Sequence, residues 1–131
     1  MQKVAKALAL VMGGLLLTIG LLSFFPLGLF GPGGLMVKYP NMPFVHIASG
    51  VILLLVSGMG ESSAAFGLYM VAFFNALLVL LGYLAVDATQ TSTLFDVLRL
   101  TRADLFLHGV LAVGLAICGK MNTARQQVIW E

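Results

Sequence analysis

SAAFGLYMVAFFNALLVLLGYLAV, Ser63 to Val86, runs for 24 residues without a charged side chain. A helix crossing the hydrocarbon core of a bilayer needs roughly 20 predominantly apolar residues, and this stretch exceeds that length. Its interruptions are Gly67, Asn75 and Gly82, which a membrane helix tolerates. The rest of the chain has the same character. Of 131 residues, 60% are hydrophobic and 9% are charged, where a soluble domain carries about 25% charge. The mean hydropathy is +1.06. The chain therefore reads as a single domain, residues 1–131, embedded in lipid. Its net charge of +2 gives no basis for binding nucleic acid.

Three further apolar segments flank this one, at about Ala5–Phe30, Phe44–Met59 and Leu105–Gly119. The last two are short and borrow their flanks to span. Lys3 and Lys6 resemble the basic start of a signal peptide, but the apolar run that follows is too long and lacks a small-residue cleavage pattern. A retained first helix is expected. GPGGLMVKYPNMP (Gly31–Pro43) is turn chemistry. GMGESS reads as a tight hairpin, with Ser62 or Ser63 as N-cap of the third helix. DATQTSTLFDVLRLTR is long enough for an interfacial helix, with Leu94, Phe95 and Leu98 toward the membrane and Asp96 and Arg99 outward. The expected fold is all-α, an integral membrane four-helix up-down bundle.

In that topology both termini and the second connection share one side of the membrane, with Lys3, Lys6, Lys120 and Arg125 offset by Glu61 and Glu131. Lys38, Arg99 and Arg102 lie on the other side, offset by Asp87, Asp96 and Asp104. The cationic excess places both termini in the cytoplasm. The second and fourth helices then both begin on the outer side. His46 and His108, each about a turn into its helix, share a depth near the outer leaflet. On the second helix His46, Gly50, Leu53 and Ser57 fall on one stripe. On the fourth, Asp104, His108, Ala112 and Ala116 do the same, with Asp104 and His108 one turn apart.

NMPFVHIASGVILLL and LTRADLFLHGVLAVGLAICG resemble the second and fourth helices of an uncharacterised family of small bacterial four-helix membrane proteins, a domain of unknown function. The family pattern is Asn-x-x-x-His…Gly in the second helix and Asn-x-Ala-Asp-x-x-x-His…Gly in the fourth. FGLYMVAFFNALLVLLGYLAVD resembles its third helix. The resemblance marks His46, Gly50, Ala103, Asp104 and His108 as pattern positions. Two departures stand out: Asn41 precedes its histidine by five residues with Pro43 between, and Thr101 occupies the usual Asn position. The resemblance implies the architecture and the paired histidines, in the bacterial cytoplasmic membrane, and brings no reaction with it.

Two readings of the histidines remain open. In the first they form an interhelical polar lock, because an unsatisfied polar group in lipid is costly. Asp104 then caps the fourth helix, where its charge is favoured. The protein would be a scaffold or accessory subunit among other membrane subunits, or a homo-oligomer. The glycines of the first helix (Gly13, Gly14, Gly20) would offer a flat packing surface. In the second reading His46 and His108 are axial metal ligands of a haem b, or one of them ligates a bacteriochlorophyll magnesium. Gly50, Gly109 and Ala112 would lie against the macrocycle, and Asp104 would orient His108. A bare metal ion would find too few ligands.

The remaining residues carry less chemistry. Asn75 could bond Thr18 across helices, a packing role. The seven methionines are scattered without pairing, which does not suit a copper relay. The single cysteine, Cys118, excludes an internal disulfide and reads as a small buried hydrophobe. No nucleophile–base pair or phosphate-binding loop appears, so no enzymatic activity is expected.

Overall fold

The computed structural model describes residues 4–25, 42–85, 91–94 and 98–127. It contains helices α1 (Val4–Leu22), α2 (Met42–Met59), α3 (Glu61–Leu84) and α4 (Arg102–Gln127), with a two-stranded hairpin, β1 (Thr91–Leu94) and β2 (Leu98–Thr101), before α4. All four helices are long and apolar enough to cross a membrane. The chain is an integral membrane four-helix bundle. The connection at residues 31–41, expected to be turn-rich, lies outside the described residues. Pro43 falls in the first turn of α2, where a missing N–H costs nothing.

The helices associate as two antiparallel pairs, α1 with α2 and α3 with α4. The pairs meet more lightly, chiefly where α3 touches α1 and α2. Small residues explain the closeness of the first pair. Ala5, Ala9, Gly13, Leu16 and Gly20 form the buried face of α1. A β-carbon on Gly13 would lie 3.0 Å from the Gly50 carbonyl oxygen, and one on Gly50 would lie 2.6 Å from the Leu17 nitrogen. At Gly20 it would lie 2.6 Å from Ile47 and 2.9 Å from the Pro43 carbonyl oxygen. Backbones touch here, as small residues permit in lipid. Gly13 and Gly20 are thus spent inside the bundle, contrary to the expected outward surface. Gly14 alone of the three has open space around it. Around the seam lies a core of Leu16, Leu53, Leu68, Val71, Leu115 and several alanines, with Cys118 packed against it.

Two details at the turns differ from expectation. Gly60 has φ 131° and is the N-cap of α3, so the helix begins at Glu61 and both serines lie inside it. Only glycine occupies that backbone region readily. The stretch expected as an interfacial helix is instead an antiparallel hairpin, in the register Thr91↔Thr101 to Leu94↔Leu98. The sequence reason is visible: LRLT alternates with period two and TST is β-branched or small, which suits a strand. Phe95 and Asp96, assigned to opposite faces of that helix, lie outside the described residues.

Glu61 ties α1 to α3 at the end opposite the histidines. Its Oε2 accepts hydrogen bonds from the backbone N–H groups of Ala5 (2.9 Å) and Lys6 (3.2 Å). These are among the first amides of α1, which have no partner within their own helix, and a carboxylate suits the positive end of the helix dipole. Glu61→Ala is expected to lower stability by about 1 kcal/mol, the usual worth of an N-cap. Glu61→Gln retains an acceptor oxygen and should recover part of that loss. Reversible unfolding in mixed micelles measures both.

Candidate functional site

The polar cluster forms at the end of the bundle where α2 and α4 begin. Antiparallel packing brings the start of α2, the end of α3 and the start of α4 to one level. Phe24, just beyond α1, and Phe44 of α2 meet edge to face there, with centroids 5.5 Å apart. His46 and His108 lie with rings nearly parallel, 9° between planes and 5.6 Å between centroids. The expected approach of the two histidines across the bundle is what the structure has.

His108 is 1% exposed, Asn75 2% and Asp104 3%. Buried polar groups must find partners, and these do. Asn75 Nδ2 donates to the Val71 carbonyl oxygen at 2.7 Å. That turns Asn75 Oδ1 toward His108 Nδ1, 2.5 Å away. An amide oxygen only accepts, so His108 Nδ1 carries the hydrogen and Nε2 is left with its lone pair. Asn75 therefore sets the tautomer of His108. The expected Asn75–Thr18 bond is absent, and Thr18 is exposed on α1. Asp104 is the third residue of α4, in its first turn rather than at its cap. His46 Nδ1 is buried and without a hydrogen-bond partner among the described residues.

Gly50 and Ala112, expected beside the histidines, serve other contacts. Gly50 is pressed against the α1 backbone. Ala112 lines a shallow hollow between α3 and α4 with Tyr69, Ala72, Phe73 and Ala76. Gly109 borders a separate hollow with Val79, Tyr83 and Leu105. A tetrapyrrole held by both histidines needs each ring end-on to the metal, with a flat slot beside it. Here the rings are nearly parallel with centroids 5.6 Å apart, and Gly50, Gly109 and Ala112, expected to form the slot, border other contacts. The described residues contain no group of three metal-ligating side chains.

Comparison of the chain with protein-family models, with curated proteins and with solved structures finds no match.

Proposed function

We propose that the protein is a small, non-catalytic scaffold or accessory subunit of a larger assembly in the bacterial cytoplasmic membrane, with both termini cytoplasmic. His46 and His108 act as a polar lock between helices. The observation that carries this reading is the internal use of the cluster: Asn75, His108 and the Val71 carbonyl satisfy one another, with His46 stacked on the result. The outer surface, by contrast, is large apolar side chains such as Leu55, Phe66, Phe73 and Phe106. Partners on such a surface are lipid and other membrane helices, a second copy included.

Crosslinking in native membranes should recover a partner subunit or a homo-oligomer, and the purified protein should show no Soret band. A protein that is strictly monomeric at native density, or that carries haem, overturns the reading. Orientation is tested separately. Met36→Cys and Ser92→Cys, each in a Cys118→Ser background, are expected to react with an impermeant thiol reagent from outside intact cells. Labelling only after lysis would reverse the topology.

A further inference from the structure

We propose that the groove between α2 and α3 is a binding site for a membrane-soluble lipophile with a planar ring bearing carbonyl oxygens, the chemistry of an isoprenoid quinone. The lightly packed contact between the helix pairs leaves a groove of about 650 Å³, within the range of small-molecule sites, roughly 300–1,000 Å³. Its walls include Phe44, Phe66, Met70 and Phe74. Such sites are apolar and aromatic with a few placed polar groups, and here that group is Ser49.

Ser49 is 5% exposed and lines the groove. Ser23 and Ser57 turn their hydroxyls back onto carbonyls of their own helices, at 2.6 Å each. Ser49 makes no such bond within the described residues, and as a lining residue it offers its hydroxyl to an occupant of the groove. Leaving it unmet in hydrocarbon is unfavourable. Depth decides what meets it. Ser49 is the eighth residue of α2, roughly 10 Å along the axis from its start. That is below the interface, where phospholipid ester carbonyls lie, and an acyl chain has no acceptor there. Gly67 meets Val56 across the two helices. Counting seven residues along each antiparallel helix from that contact puts Phe74 level with Ser49. A flat ring with a carbonyl is matched by a hydroxyl on one wall and a phenyl ring on the other. The remainder of the groove accommodates an apolar tail.

The test uses the full chain in phosphatidylcholine–phosphatidylglycerol nanodiscs, with decyl-ubiquinone as probe. A bimane is attached at Leu55→Cys, an exposed α2 position outside the groove, in a Cys118→Ser background. A saturable quenching component is expected above the linear collisional one. Ser49→Ala should weaken it about fivefold, the worth of one hydrogen bond, and Ser49→Thr should restore it. Ala48→Phe, at an exposed groove position, should abolish it. Purely linear quenching overturns the proposal. So does saturable quenching that is indifferent to Ser49→Ala and displaced equally by palmitate, which assigns the groove to acyl chains. A dimer that excludes the quinone assigns it to a second copy and overturns the proposal equally.

Discussion

Gly50→Ala is expected to be among the most destabilising single-methyl additions in this chain, whereas Gly14→Ala should be neutral or stabilising. Both substitutions put the same group on a membrane helix, and both exchange glycine for a better helix former, a gain of about 1 kcal/mol. They differ in what the methyl meets. At Gly50 it would come within 2.6 Å of the Leu17 nitrogen and 2.8 Å of the Gly13 carbonyl oxygen, backbone atoms that cannot rotate away. At Gly14 nothing lies within 4 Å. Overpacking of this kind costs about 1–3 kcal/mol, so Gly50→Ala must part α1 from α2 or strain both. Unfolding midpoints of the two variants against the parent, in one micelle composition, measure the contrast. Equal midpoints would show that the helices do not touch at this seam.

The second large effect concerns the tautomer-setting amide. Asn75→Leu leaves the Nδ1–H of His108 buried with no acceptor, and stranded donors cost about 1–3 kcal/mol. His108→Ala strands the amide oxygen instead and opens a cavity. Both singles should therefore be costly, and the pair should be less costly than their sum. The coupling from the double-mutant cycle is expected at about 0.6 kcal/mol, and up to about 1.7 kcal/mol, as for other hydrogen bonds between membrane helices. Imidazole nitrogen shifts add a readout that packing alone would not move. His108 should be an Nδ1–H tautomer in the parent and lose that preference in Asn75→Leu. Additive singles with an unchanged tautomer would remove Asn75 from the lock.

The two histidines were legible because two periodicities agreed: spans of known length fix depth, and positions one turn into α2 and α4 share it. The four helices were legible for the same reason, since the bilayer imposes one length on all of them. Asn75 was visible as a polar residue in an apolar run, but its partner was not. Depth alone leaves several helix faces as candidates, and rotation about α3 chooses among them. The glycines of α1 raised a similar ambiguity. A small stripe packs equally well inward or outward, and only the Gly50 and Pro43 backbone opposite it settles the direction. Residues 91–101 show a local signal read with the wrong period. Leucines spaced for a helix face also alternate, and short segments suit either. Glu61 entered only as a charge, because its bonds reach back more than fifty residues and no local pattern foretells them.

That long reach bears on how the chain enters the membrane. Synthesis delivers α1 and α2 before Glu61 exists, so the first hairpin meets the bilayer with its leading amides bare. They are capped only when the start of α3 follows. The cap on the first helix is thus supplied by the third, and only after both have been made. A nascent chain stalled before residue 61 should expose its N-terminal turn to proteolysis, and one stalled after α3 has emerged should protect it.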